Sequence, residues 1–191
     1  VPVINGLSDQ LHPCQVLADL QTVREHKGQL KGLKLAYIGD GNNMAHSILH
    51  GCARMGMTVA IGHPRGYAPD AEIVTRSRQM AADSGGGVLI TEDPMEAADQ
   101  ADVIYTDVWV SMGQEEESRK RREHFSGFIV DSKLMGAARA DAIFMHCLPA
   151  HRGEEVGAEV IDGPQSVVFD QAENRLHAQK AIMIKLMGRR H

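Results

Sequence analysis

Short apolar runs alternate with longer segments of mixed polarity along the chain. Apolar runs of about four to eight residues between turn residues are typical of buried strands, and apolar residues at helical spacing indicate helices. The pattern predicts five strands, at 34–39, 58–62, 88–91, 103–106 and 142–145. It predicts helices from 12 to about 28, at 44–55, 70–84 and 93–98, from about 115 and 132, and from about 173 to 187.

This alternation predicts an α/β fold with a doubly wound, mostly parallel five-stranded sheet flanked by helices, of the Rossmann-like kind. Residues 167–169 are expected to form a final short strand or extended piece. The chain does not start at an initiator Met, and residues 1–6 have the pattern of an apolar strand that would need neighbours to pair with. We therefore expect the carboxyl-terminal part of a longer protein.

The composition and net charge of the chain limit the kinds of partner and the cellular location that can be expected. Of the 191 residues, 43% are hydrophobic and 24% are charged, which is ordinary for a soluble globular protein with a sizeable core. The net charge of −5, the scattered basic residues and the lack of a long apolar run predict neither a nucleic-acid partner nor a membrane. Cys14, Cys52 and Cys147 form no CxxC pair, which favours reduced thiols and a cytoplasmic location.

The fourth predicted strand is followed by residues that are unusual for a simple turn. Asp107, Trp109, Ser111 and Gly113 come after it in close succession. Ligands of open α/β sheets bind outside the carboxyl ends of the strands, so this group of residues indicates a binding site. The structural alternative is that Asp107 caps the next helix and Trp109 fills a gap.

The turn after the first strand, Gly39-Asp40-Gly41-Asn42-Asn43, has three interpretations. It suggests dinucleotide binding, but it lacks the third Gly of GxGxxG and places an acid and amides where a pyrophosphate needs bare backbone. The two Asn side chains and the free N–H groups of the helix could instead bind a carboxylate. The plain alternative is that one Asn caps the helix.

Two more motifs carry polar groups to the ends of predicted elements. His12 and Gln15 lie on the same side of the first helix, where an imidazole can donate to a carbonyl oxygen and an amide oxygen can accept from an NH₂ group, although His12 could simply cap the helix. Cys147, in His146-Cys147-Leu148-Pro149, follows the fifth strand at the edge expected for Asp107. It could be a nucleophile, a metal ligand with His146, a neutral thiol contact or an inert buried residue.

Charged residues form two further features. Acidic residues 115–117 precede basic residues 119–122 at i,i+4 spacing, which predicts a solvated helix face, with an anion site as the alternative. Arg175 stands near the expected start of the last helix, where the helix dipole disfavours a cation. Such a placement suggests a functional role.

Together these motifs resemble those of the ornithine carbamoyltransferase family. They are His-Pro-Cys-Gln at 12–15, Gly-Asp-Gly-Asn-Asn at 39–43, Asp-Val-Trp-Val-Ser-Met-Gly at 107–113, His-Cys-Leu-Pro at 146–149 and Ala-Glu-Asn-Arg at 172–175. Their order and spacing match the family over almost the whole chain. The family's Ser-x-Arg-Thr-Arg loop, which grips the phosphate of carbamoyl phosphate, has no counterpart here, so the chain looks like the ornithine-binding domain.

The resemblance implies transfer of a carbamoyl group from carbamoyl phosphate to the δ-amine of L-ornithine, giving citrulline and phosphate, in arginine biosynthesis or a urea-cycle type of metabolism. It implies no cofactor and no metal. Asn43 and the Met112 backbone would bind the ornithine carboxylate, and Asp107 and Ser111 would bind its α-ammonium group. Cys147 would lie beside the attacking amine.

The same resemblance implies the carbamoyl contacts. His12 would polarise the carbamoyl oxygen, and Arg175 would add positive charge where the oxyanion develops. Gln15 and the Leu148 carbonyl would accept hydrogen bonds from the carbamoyl NH₂, with Cys147 also in this site.

By the resemblance, residues 1–11 would be the remnant of a preceding carbamoyl-phosphate domain, 12–172 the ornithine-binding α/β domain and 173–191 a helix that packs toward the absent domain. The parent enzyme would be a homotrimer or a higher assembly, and the chain alone would be inactive. Three other functions stay open: a carbamoyltransferase for another amine such as putrescine, a noncatalytic amino-acid-binding module and a nucleotide-binding regulator.

Overall fold

One parallel sheet organises residues 3–110 and 118–188, the part of the chain that the computed structural model describes. Its five strands lie in the order β3-β2-β1-β4-β5, and all neighbours are parallel. The strands are β1 (Lys34–Ile38), β2 (Thr58–Gly62), β3 (Gly87–Thr91), β4 (Val103–Thr106) and β5 (Ile143–His146). The predicted fold class is confirmed, and each strand lies within one or two residues of its predicted bounds.

Helices cover both faces of the sheet. They are α1 (Pro13–Lys27), α2 (Asn43–Arg54), α3 (Ala71–Ser84), α4 (Pro94–Ala98), α5 (Ser118–Phe125), α6 (Ser132–Met135), α7 (Ala158–Ile161) and α8 (Val168–Met187). Local signals set several helix starts, because Asn42, Asp70 and Asp93 cap α2, α3 and α4 through their side-chain oxygens. No described helix is both long and apolar enough to cross a membrane.

Two predictions about the chain ends were wrong. The last helix begins at Val168 instead of 173, so residues 168 and 169 are helical and do not form the expected strand or extended piece. Residues 3–11 contain no strand, and the side chain of Val3 is exposed. The short helix α7 was not predicted, since a helix of four residues has too few apolar positions to show a helical period.

The sheet separates two cores. Alternate residues of β1 point to opposite faces, so Leu35 and Tyr37 pack with α1, α2 and α3, whereas Ala36 and Ile38 pack with α4, α6 and α7. The chain therefore leaves β1 through α2 on one face and leaves β4 toward β5 through α6 on the other. The carboxyl ends of β1 and β4 flank this change of direction, which is where open α/β sheets form their ligand crevice.

Candidate functional site

Asp107 is at the centre of a polar cluster at the carboxyl ends of β1, β4 and β5. Its Oδ2 accepts from Asn42 Nδ2 at 3.1 Å, and its Oδ1 accepts from the thiol of Cys147 at 3.0 Å. The Val108 N–H also donates to Oδ1 at 2.8 Å. The structure thus brings together Asp107 and Cys147, which the sequence placed after two different strands. Residues 111–117, which include the candidates Ser111 and Met112, lie outside the described part of the chain.

The two adjacent Asn residues have different partners. Asn42 caps α2 by accepting from the N–H groups of Met44 and Ala45, and it also contacts Asp107. Asn43 donates its side-chain N–H to the Ser8 carbonyl at 2.8 Å. The sequence predicted that one of the two Asn residues caps the helix, and this residue is Asn42. The contact of Asn42 with Asp107 was not predicted, because nothing local distinguishes two neighbouring amides at a helix start.

Cys147 is a neutral thiol in this structure. Burial raises the pKa of its thiol well above the ordinary value, and the nearby Asp107 carboxylate raises that pKa further. The His146 ring is engaged elsewhere: its Nδ1 accepts from the Leu148 N–H at 2.8 Å, and its Nε2 lies 3.3 Å from Oε1 of the buried Glu155. The arrangement therefore supports a thiol contact and gives no support to a His–Cys metal pair or a thiolate nucleophile.

Leu148 has an unusual backbone conformation. Its φ is +56°, in the left-handed region that bulky residues rarely adopt. The bond from its N–H to His146 supports this conformation, and His146 is in turn fixed by a backbone N–H bond to Gln171 Oε1 at 2.9 Å. Strained residues held by their surroundings in this way are frequent at functional sites.

His12 immediately precedes α1 and carries a neutral imidazole at neutral pH. Burial lowers its pKa, and the positive charge of Arg175 lowers that pKa further. The His12 Nδ1 is buried and has no hydrogen-bond partner among the described residues. Arg175 was expected near the start of the last helix, but it lies about two turns into α8, where the dipole effect is small.

A second polar network lies beneath the site. Asp19 Oδ1 accepts from Gln15 Nε2 at 2.8 Å and from Gln171 Nε2 at 2.7 Å, and Asp19 Oδ2 accepts from the Tyr105 hydroxyl at 3.2 Å. Burial raises the pKa of Asp19 to about 7, although all three hydrogen bonds lower it. Sequence reasoning missed Asp19, Tyr105 and Gln171, and only the i,i+4 spacing of Gln15 and Asp19 offered a local signal.

Arg121 joins two segments of the site edge. Its guanidinium pairs with Asp40 and donates from Nε to the Trp109 carbonyl at 2.5 Å. It also stacks on Tyr67 and Phe125, with centroid distances of 5.0 and 5.3 Å. The prediction of a solvated basic face is therefore wrong for Arg121, while acidic residues 115–117 lie outside the described residues.

Comparison with known families shows which proteins this chain is similar to. The family model described as Aspartate/ornithine carbamoyltransferase, Asp/Orn binding domain, matches residues 31–186. The ornithine carbamoyltransferase of Symbiobacterium thermophilum is 60% identical over 188 residues, which is 98% of this chain and 61% of that protein. The anabolic ornithine carbamoyltransferase of Pyrococcus furiosus is 56% identical, with 98% of this chain and 60% of that protein covered.

Solved structures show the same likeness. The ornithine carbamoyltransferase structure from Pyrococcus furiosus matches with a TM-score of 0.96 and 55% identity, over 100% of this chain and 61% of that chain. The structure from Gloeobacter violaceus matches with a TM-score of 0.92 and 51% identity, over 98% and 63%. The chain spans about 60% of the length of the curated relatives that it matches.

Proposed function

The chain belongs to the aspartate/ornithine carbamoyltransferase family, and from this premise we propose that it supplies the ornithine-binding part of an ornithine carbamoyltransferase. The reaction transfers the carbamoyl group of carbamoyl phosphate to the δ-amine of L-ornithine and gives citrulline and phosphate. The observation that carries the proposal is the Asp107 carboxylate, held by Asn42 and Cys147 at the sheet crevice. A fixed carboxylate is the natural partner of an α-ammonium group.

In the proposed complex, ornithine is bound through both of its charged α-groups. Asp107 and Ser111 take the α-ammonium group, and Asn43 and the Met112 backbone take the carboxylate. The Asn43 amide has two N–H donors and gives one of them to Ser8, so the other is available for the ornithine carboxylate.

The carbamoyl group is held from the side of α1 and α8. Neutral His12 donates an N–H to the carbamoyl oxygen, and Arg175 adds positive charge where negative charge grows in the tetrahedral intermediate. Gln15 Oε1 and the Leu148 carbonyl accept from the carbamoyl NH₂. The Gln15 oxygen is buried and has no hydrogen-bond partner among the described residues. This supports a role as an acceptor for a group of the substrate.

The attacking amine must be neutral before it can bond to the carbamoyl carbon. Cys147 lies beside it as a protonated thiol that donates to Asp107. A thiol that keeps its own proton is not a base, which favours the phosphate group of carbamoyl phosphate as the proton acceptor.

The chain alone is proposed to be inactive. Residues 1–11 belong with a preceding carbamoyl-phosphate domain, and residues 173–191, which include the second part of α8, pack toward that domain. The parent enzyme is proposed to be a homotrimer or a higher assembly. Much of the rate acceleration in such a reaction comes from holding the two reactants in the right orientation. Without the binding surface for carbamoyl phosphate, no measurable turnover is expected.

Citrulline formation tests the proposal directly. The chain alone should form no measurable citrulline. A chimera in which the chain replaces the matching part of the Pyrococcus furiosus relative should form citrulline from ornithine, and it should carbamoylate ornithine in preference to putrescine.

Asp107→Asn in the chimera should lower kcat/KM for ornithine about a hundredfold, because a charge-assisted contact is lost.

Glu72→Gln is the control, since the Glu72 side chain is 86% exposed on α3 and its loss should leave kcat/KM unchanged. Turnover by the chain alone, an inactive chimera, or a preference for putrescine would each contradict the corresponding part of the proposal.

A further inference from the structure

We propose that Asp19 is a positioning residue of the carbamoyl site. Its carboxylate holds the NH₂ group of the Gln15 side chain, so that the Gln15 oxygen faces the carbamoyl NH₂. The inference rests on the proposed function, because that function assigns Gln15 to the carbamoyl group. Asp19 itself is 2% exposed and acts through Gln15 rather than on the substrate.

The chemistry of the pair decides which end of the Gln15 amide faces Asp19. The two residues are one helical turn apart on α1, and Gln15 Nε2 lies 2.8 Å from Asp19 Oδ1. An ionised carboxylate can only accept hydrogen bonds, so it selects the NH₂ end of the amide. The Gln15 oxygen is then turned away from Asp19, and it is the end without a partner among the described residues.

The rest of the network is fixed independently of Gln15. The Gln171 oxygen accepts from the His146 N–H at 2.9 Å, so its NH₂ group must face Asp19 and Tyr105. The Tyr105 hydroxyl donates to the second oxygen of Asp19. In this network, the orientation of the Gln15 amide therefore depends on whether Asp19 is ionised or protonated.

Protonation of Asp19 would remove this selection. A protonated carboxyl group can donate to the Gln15 oxygen after a half-turn of the amide, and the NH₂ group would then face the carbamoyl NH₂ without an acceptor between them. Because burial raises the pKa of Asp19 to about 7, both states are populated near neutral pH. Binding of the carbamoyl group is therefore expected to weaken as the pH falls through this range.

The other ionisable groups around Asp19 do not titrate in the same way. They are Tyr105 on β4, Cys52 on α2, Cys147 after β5 and Arg175 on α8. Burial raises the pKa values of the phenol and of both thiols, so these groups stay protonated. An arginine guanidinium is charged in proteins at any pH near neutral. Burial lowers the pKa of His12 below 6.5, so its titration falls at lower pH.

A double-mutant cycle in the active chimera tests the inference. Asp19→Asn should raise the KM for carbamoyl phosphate about tenfold and change the KM for ornithine less than about twofold. In a Gln15→Leu background, Asp19→Asn should cause no further change, because its effect passes through Gln15. An equal effect of Asp19→Asn in both backgrounds would show a merely structural role and overturn the inference.

Glu25→Gln is the matched control. Gln21 Nε2 donates to Glu25 Oε1 at 2.9 Å, which is the same i,i+4 pairing on the same helix but at an exposed position. This substitution should leave both KM values unchanged. If Asp19→Asn does not fold, the pH profile decides: the KM for carbamoyl phosphate should rise below about pH 7 in the native chimera and not in Gln15→Leu.

A measurement on the chain itself separates this inference from the proposed function. The ¹⁵N resonance of the Gln15 side-chain amide should shift with a midpoint near pH 7, and Asp19→Asn should abolish the shift. An amide signal that does not change between about pH 6 and pH 8 would overturn the inference. An inactive native chimera would instead refute the proposed function, while the amide titration would still decide the role of Asp19.

Discussion

The carboxyl groups of Asp19 and Asp107 lie in the same region of the molecule but have different partners. Asp19 accepts from two amides and a phenol in the interior, whereas Asp107 accepts from an amide, a backbone N–H and a thiol at the crevice. Burial destabilises the ionised form of Asp19, so its pKa is raised to about 7 although three hydrogen-bond donors stabilise the charge. Asp107 lies at the carboxyl end of β4 and is 9% exposed.

At the residue scale, the stability of the chain should depend on the ionisation of Asp19. The pKa of Asp19 is about 7 in the folded chain and near 3.8 in the unfolded chain, so the folded state binds the proton more tightly. Relative to Asp19→Asn, the native chain should lose about 1.4 kcal/mol of unfolding free energy for each unit by which the pH rises from about 5 to about 7. It should lose little more above that range. Urea unfolding of both proteins across this range measures the difference, which would be independent of pH if Asp19 did not titrate there.

At the element scale, Arg121 holds helix α5 to two loops of the site. It pairs with Asp40 in the turn after β1, donates to the Trp109 carbonyl after β4 and is 5% exposed. Burial raises the pKa of Asp40, and the positive charge of Arg121 opposes that shift. The buried pair therefore sets the spacing between the turn that carries Asn42 and the segment that follows Asp107.

Arg121→Met should destabilise the chain by about 3 kcal/mol, because it leaves Asp40 without its buried partner. The double variant Asp40→Leu/Arg121→Met should recover part of this loss, since no unpaired charge remains. Arg119→Met is the control: its side chain is 93% exposed, and its loss should change the unfolding free energy by less than about 0.5 kcal/mol. An equal effect of Arg119→Met and Arg121→Met in urea unfolding would show that the buried pair has no special role.

At the scale of the whole molecule, the second half of α8 exposes apolar side chains. The exposed set is Met183, Ile184, Leu186 and Met187. α8 packs on α1, the helix that follows His12 and contains Gln15. We expect the exposed half to contact the part of the relatives that lies beyond the length matched by this chain.

Ile184→Asp tests this contact. In the chain alone it should change the melting temperature by less than about 1 °C, because Ile184 is exposed, whereas in the chimera it should lower the melting temperature by several degrees. Met55→Lys, another exposed apolar position, should have no effect in either protein. Equal effects of Ile184→Asp in the chain and in the chimera would contradict the expected contact.

The fold could be predicted largely from sequence because its signals are local. Each buried parallel strand is a short apolar run, and capping residues and glycines mark many helix ends, so β1 to β5 appeared close to their observed bounds. The placement of Asp107 and Cys147 at one edge also followed from sequence, because the carboxyl ends of parallel strands lie at the same side of a sheet. The family resemblance rested on the same strand-end motifs.

Only the tertiary structure decided which polar groups meet. The different partners of Asn42 and Asn43 depend on the positions of Asp107 and Ser8. The burial of Arg121 depends on Asp40 and two aromatic rings, and the Asp19 network joins α1, β4 and α8. These contacts link residues that are far apart in sequence, and a side chain's partners follow from packing rather than from its neighbours in the chain. The sequence therefore determined the sheet and the position of its ligand edge, while three-dimensional packing determined which donor faces which acceptor there.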